Sequence, residues 1–156
     1  MNMKNLKKDS EFRGLFLGEG YCAIVKYKRN TPYKDRCYHY NNFRPQMSLG
    51  QRADNKEMIE WIKNNYGGSI WIARQEDRGQ GKPMFVWTTT NIEKINEICE
   101  ILLESDIPSK KLVSIKIVKD YCEWKLSRGL QTKMDEEDYE KVEKWYNDCK
   151  DNHAYN

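Results

Sequence analysis

The sequence predicts an α+β fold, an αββαββα core in which helices cover one face of a four-stranded antiparallel sheet and further helices follow. Three observations carry this. "NFRPQMSLGQ" alternates, with Phe43, Pro45, Met47 and Leu49 on one side and Asn42, Arg44, Gln46 and Ser48 on the other, the signature of a strand with one buried face. "ADNKEMIEWIKNNYGG" and "NIEKINEICEILLES" instead place apolar residues at helical spacing. Strand-forming segments occur in pairs on either side of the first of these helices, which gives the order helix, strand, strand, helix, strand, strand, helix.

Taken in order, the segment before Gly18 reads as a short helix with Phe12, Leu15 and Phe16 on its apolar side and Asp9 or Ser10 as its cap. Tyr21 to Lys28 favour a strand, and residues 29–42, rich in cations and aromatics, read as a loop. Strict alternation from Cys22 and Ile24 would point Lys26 at the core, so a bulge or strand end is expected near Val25. Pro45 has no N–H and belongs at an edge, an irregular position or a bulge. The helix carrying Met58, Ile59 and Ile62 ends at Gly67-Gly68. "SIWIARQ" and "MFVWTTT" form the second strand pair around "EDRGQGKP". Asn91 caps a helix with Ile92, Ile95, Ile98, Cys99 and Leu102 on one face. A further helix begins after Pro108, and a last, acidic one covers "DEEDYEKVEKWYNDCK". Trp61, Trp71, Trp87 and Trp124 read as core residues.

A chain of 156 residues is most simply one domain with a real core. With 33% charged residues and a mean hydropathy of −0.95, its surface is well solvated. Five cysteines without a CxxC pair indicate neither a zinc site nor a disulfide framework, but idle thiols in a reducing compartment. No membrane-length apolar run or signal-peptide core occurs, so a soluble intracellular protein is expected. His39 and His153 have no evident partners and receive no role.

The net charge of +3 hides a basic half. Lys26, Lys28, Arg29, Lys34, Arg36, Arg44, Arg74, Arg78 and Lys82 crowd the strand region, and the C-terminal helix holds much of the acid. A two-stranded ribbon enters the major groove of DNA, where Arg and Gln read base edges and Lys holds phosphates. Arg44, Gln46 and Ser48, alternating on one strand face, suit that use. The bland alternative is a polar, solvated sheet face.

Phe12-Arg13-Gly14-Leu15-Phe16-Leu17-Gly18-Glu19-Gly20 resembles the nine-residue signature of LAGLIDADG homing endonucleases. "RPQMSLGQRADNKEMIEWIKNNYGGSI" and "ESDIPSKKLVSIKIV" extend the likeness over about residues 8–125 of a domain spanning 5–151, which leaves 126–151 as a C-terminal helical extension. Leu17 departs from the pattern, standing where an Asp is common.

The resemblance implies a homodimer that cuts both strands of a long, partly palindromic DNA site, the two sheets forming a saddle. Glu19 matches the metal-binding acid, with Gly18 beside it at the metal site. Gln51 matches a polar residue that orders water, and Lys110 the basic residue near the scissile phosphate, with Lys111 as the alternative register. Gly14, Leu15, Leu17 and Gly18 would form the dimer contact. The expected cofactor is Mg²⁺, two or three ions per dimer. Lys28, Arg29, Lys34, Arg36, Arg44, Gln46, Ser48, Arg74, Arg78, Lys82 and Lys111 are the expected DNA-binding residues. The family also implies intron-encoded relatives, and it leaves two rivals on the same scaffold: an RNA maturase acting on its own intron, and a sequence-specific DNA-binding regulator that does not cut.

Overall fold

In a computed structural model, residues 3–33, 36–73 and 83–153 are described, with the backbone alone at 29–33 and 36–41. The elements are α1 (Met3–Glu19), β1 (Gly20–Tyr33), β2 (Arg36–Arg52), α2 (Lys56–Tyr66), β3 (Ser69–Ala73), β4 (Met84–Thr89), α3 (Ile92–Leu103), α4 (Lys111–Arg128) and α5 (Glu136–His153), with one 3-10 turn, Ala53–Asn55, leading into α2. The four strands form one antiparallel sheet in the order β1-β2-β4-β3. This is the expected architecture.

The core lies between the sheet and the helices. Cys22, Ile24, Met47, Leu49 and Trp87 supply it from the strands, and Phe12, Phe16, Ile59, Ile62, Ile95, Leu102, Ile115 and Val118 from the helices. All of the alternation expected for 43–49 is present: Met47 and Leu49 are fully buried and Phe43 packs against the core. Pro45 pairs with Ile24 of β1, whereas β4 reaches β2 only from Met47 onward. The proline thus sits where β2 has a single neighbour, and no ladder bond to β4 is lost.

The first helix is longer than expected. It begins at Met3, so Asp9 and Ser10 lie inside it and cap nothing. Asp9 instead accepts a hydrogen bond from the Tyr66 hydroxyl at 2.8 Å, tying α1 to the end of α2. Burial and that carboxylate together raise the Tyr66 pKa. Helix α2 stops where expected, at Gly67 and Gly68, both with positive φ. A Cβ on Gly68 would meet the Thr88 carbonyl at 2.6 Å, so glycine is required there for space as well. Asn91 accepts from the Lys94 N–H and caps α3 as expected.

Residues 29–42 are not a loop. Their described part continues β1 and β2 as one hairpin in unbroken register, out to Tyr33↔Arg36. Nor is there a bulge at Val25: Lys26 keeps the helix-side position and pairs with Phe43. Its ammonium is accommodated by α5, reaching Glu143 at 3.2 Å and lying 5.2 Å from the Tyr146 ring centroid and 5.5 Å from that of Phe43.

Helix α5 belongs to the same core, burying Val142 and Cys149. Its start is a reciprocal cap in which Asp135 and Asp138 each accept the other's backbone N–H, and Arg128 from the end of α4 pairs with Asp138. Cys22, Cys99, Cys122 and Cys149 are buried free thiols, as the sequence suggested for idle cysteines. Burial holds Cys149 up to about 11 and also raises Cys22 and Cys122, so none of these three is a thiolate at neutral pH.

Candidate functional site

Phe12 and Phe16 turn inward from α1, which leaves Gly14 and Gly18 on its outer side, where a Cβ would meet no atom within 4 Å. Nothing among the described residues demands glycine there. Leu15 and Leu17 are half-buried beside this strip, and Leu15 lines a shallow groove of about 320 Å³ with Glu11, Met58 and Trp61. The candidate dimer residues therefore share one helix side, with the two glycines open.

Glu19 is the last residue of α1 and Gly20 the first of β1, with no linker between them. Glu19 is exposed. The final carbonyls of a helix lack intrahelical partners and form the negative end of its dipole. The Gly18 carbonyl belongs to this set, so it and the Glu19 carboxylate give one helix end two hard oxygen donors and a field that favours a cation. Among the described residues no cluster of three or more His, Cys, Asp or Glu side chains suits a metal. An ion here would rely on Glu19, backbone oxygen and atoms from outside the chain. That donor set fits Mg²⁺, which keeps several waters and takes only one or two carboxylates.

Lys111 opens α4 and is half-buried within the field of Glu19. Burial lowers its pKa, and the Glu19 carboxylate pulls it partly back. Lys110 is exposed one position earlier. Gln51 lies near the end of β2: Gly20 pairs with Leu49, so Gln51 stands two residues, about 7 Å, past the start of β1, in the helix-side row of Met47 and Leu49. Its Oε1 accepts from Asn55 at 3.0 Å, which fixes the amide.

Register also assigns the open sheet face. It carries Tyr21, Val25 and Tyr27 from β1, Asn42, Arg44, Gln46, Ser48, Gly50 and Arg52 from β2, Ser69, Trp71 and Ala73 from β3, and Met84, Val86 and Thr88 from β4, whereas Ala23, in the same row of β1, is buried. Arg44, Gln46 and Ser48 share this face as expected, with the Arg44 guanidinium 5.1 Å from the Tyr27 ring centroid. Lys28 does not: alternation puts it on the helix side with Lys26. Among the described side chains only Arg44 and Arg52 are cations at positions of this face, so its charge is sparser than the sequence suggested. Arg29 and Arg36 belong to the hairpin backbone, their side chains outside the description, and Lys34, Arg74, Arg78 and Lys82 lie outside the described residues. Trp71 is 51% exposed on the open face rather than in the core, whereas Trp87 is fully buried and donates to the Gly67 carbonyl at 2.7 Å.

Sequence reasoning missed the end of α5. His153 has partners after all: its Nε2 lies 3.2 Å from the Cys22 carbonyl and its ring stacks on Tyr21 at 5.0 Å. Asn152 donates to the Lys110 carbonyl at 3.1 Å and to Ser114 Oγ at 2.6 Å. With Gly20, Tyr21, Lys110 and Lys111, these two residues enclose a cleft of about 180 Å³. A polar pair at the end of an acidic helix gives no sequence signal of this, because every partner is remote in the chain.

Three comparisons bear on this arrangement. No curated protein matches the chain. Solved structures that do match include the homing endonuclease I-CvuI in complex with its target in the presence of Ca²⁺ (14% identity, 99% of this chain and 85% of that one, TM-score 0.64). An archaeal intron-encoded homing endonuclease, I-Vdi141I, complexed with DNA, matches 97% of this chain and 86% of its own at 15% identity and TM-score 0.63. The LAGLIDADG homing endonuclease I-LtrWI, bound to target DNA, matches 89% of this chain but only 43% of its own, at 18% identity and TM-score 0.66. At such identities these likenesses speak for the fold. The family model described as LAGLIDADG endonuclease matches residues 12–128, from the motif helix through the last residue of α4. With three quarters of its length matched and the motif acid at the helix–strand junction, the chain is a member of the LAGLIDADG endonuclease family.

Proposed function

We propose that two copies of this DNA endonuclease pack their α1 helices together through Gly14 and Gly18, flanked by Leu15 and Leu17, and cut both strands of a long, partly palindromic duplex site. The observation that carries this reading is that Lys111 lies within the electrostatic field of Glu19, at the end of a helix whose outer side is open glycine. One motif gives one acid per chain, so cutting two strands calls for two chains. The match to only 43% of the I-LtrWI chain supports the same conclusion, since that protein is about twice the length. Residues 5–151, with the bulk of α5, act as one domain.

Glu19 and the Gly18 carbonyl would hold Mg²⁺, and the chemistry it supplies when bound is neutralisation of charge on the attacking and leaving oxygens. The remaining work falls to side chains. Lys111, in the alternative register to Lys110, offsets negative charge on the scissile phosphate, and its partly desolvated setting strengthens that effect. Gln51, held by Asn55, orients water at the phosphate. Arg44, Gln46 and Ser48 read base edges, while Arg29, Lys34, Arg36, Arg74, Arg78 and Lys82 hold phosphates.

The test is selection from a randomised duplex library, with capture in Ca²⁺ followed by addition of Mg²⁺ and sequencing of new ends. A near-palindromic consensus that is cut, and that Glu19→Gln binds without cutting, supports the reading. A consensus bound by the wild type and never cut overturns it in favour of the DNA-binding regulator. Binding of structured RNA in place of any duplex would favour the maturase.

A further inference from the structure

We infer that Asn152, beyond the residues matched by the family model, is a positioning residue that holds the lysine-bearing start of α4 against β1 and so sets the Lys111 ammonium for cleavage. This rests on the proposed nuclease reading and adds a part of the site that the motif does not contain.

The start of α4 is poorly secured by its own sequence. Lys110 occupies the N-cap position without a side-chain cap, and no acidic residue stands in the first turn. Two cations there oppose the helix dipole. Ser109 Oγ accepts the Lys111 N–H at 3.2 Å, beside the backbone bonds from the Leu112 N–H to the Ser109 carbonyl and from the Val113 N–H to the Lys110 carbonyl, all of them within the turn. The stronger restraint comes from α5. The Asn152 amide donates both to the Lys110 carbonyl and to Ser114 Oγ, spanning the first turn of α4 from one end to the other. Ser114 is itself buried, 1% exposed, so this anchor is fixed.

The next residue ties the same turn to the sheet. His153 Nε2 reaches the Cys22 carbonyl at 3.2 Å and Ser114 Oγ at 3.5 Å, and the Cys149 thiol one turn earlier is hydrogen-bonded to the Ile24 backbone. Cys22 and Ile24 belong to β1, the edge strand that follows Glu19 directly. Asn152 and His153 thus link the two chain segments that carry Glu19 and Lys111, which lie about 90 residues apart in sequence.

The experiment compares wild type, Asn152→Ala and Ser114→Ala on the selected site. Single-turnover cleavage at saturating enzyme in Mg²⁺, the dissociation constant in Ca²⁺ and amide exchange at residues 110–114 are measured at a temperature where all three proteins are folded. Asn152→Ala is expected to slow cleavage ~10-fold or more with affinity changed less than about threefold, and to speed exchange in that turn. Ser114→Ala, which keeps the bond to the Lys110 carbonyl, should fall between the two. Equal cleavage rates, or a loss confined to affinity, would overturn the inference. If the wild type binds without cutting, the nuclease reading has failed separately, and unchanged exchange at 110–114 in Asn152→Ala would then reject the positioning role on its own.

Discussion

The Phe16 ring occupies the space that a side chain on Gly20 would need: a Cβ there would lie within 2.7 Å of three ring atoms. Phe16 is fully buried and cannot give way. Gly14 and Gly18, in the same motif, face open space. Glycine has two separate causes within nine residues, and the two make opposite predictions. Gly20→Ala should destabilise the chain by ~1–3 kcal/mol through overpacking. Gly14→Ala and Gly18→Ala should leave the isolated chain as stable or up to about 1 kcal/mol more stable, since alanine favours helix. The same pair should weaken self-association. Thermal unfolding and sedimentation equilibrium separate the cases, and tighter association of the Gly14→Ala, Gly18→Ala double variant would contradict the proposed interface.

Lys111 should give cleavage an alkaline limit. Its lowered pKa means that the ammonium deprotonates below the usual lysine range, so activity should fall as pH rises through that value. Lys111→Arg, which keeps its charge, should lose this limb in a pH–rate profile. Stability runs the other way. Between the folded pKa and the unfolded value of about 10.4 the unfolded chain binds more protons, so this group's contribution to stability rises with pH.

The two sheet tryptophans should diverge. Trp87 is fully buried and hydrogen-bonded, and Trp87→Ala should cost ~3–5 kcal/mol in denaturant unfolding. Trp71→Ala, on the open face, should cost no more than about 1 kcal/mol and should show its effect in duplex binding instead. Equal losses of stability would mean that Trp71 is a core residue after all.

Arg44→Ala should relax sequence choice at one position per half-site, by ~1–3 kcal/mol of discrimination between base pairs. The selected consensus would lose information there and keep it elsewhere. A uniform loss across the site would mark Arg44 as a phosphate contact.

The fold was legible where burial imposes a period. Phe43 to Leu49 alternate because one face of β2 is core, and Ile95, Ile98 and Leu102 recur because α3 buries one stripe. Residues 29–42 misled because a two-stranded arm buries too little to demand alternation, and their Asn, Pro and charged residues then read as a turn. Lys26 misled for another reason: the carboxylate that receives it, Glu143, lies 117 residues away on an element whose position no local pattern reveals. The motif located Glu19, yet only the packing of α4 brought forward Lys111 within its field. Asn152 and His153 act through a carbonyl, a hydroxyl and an aromatic face, contacts to which no spacing rule applies.

The hairpin has a consequence of scale. From Ala23↔Gln46 outward to Tyr33↔Arg36, β1 and β2 run with no third strand among the described residues, over eleven register pairs. At ~3.4 Å per residue this ribbon is about 34 Å long, close to one turn of B-DNA. A strand advances per residue by nearly the rise of one base pair, and side chains on one face recur every second residue. Each strand laid along the groove therefore samples alternate base pairs, and the open-face residues of the paired strand stand directly opposite, at the same levels. On the proposed reading, the length of the arm, more than the identity of any one side chain, would set how many base pairs one copy addresses.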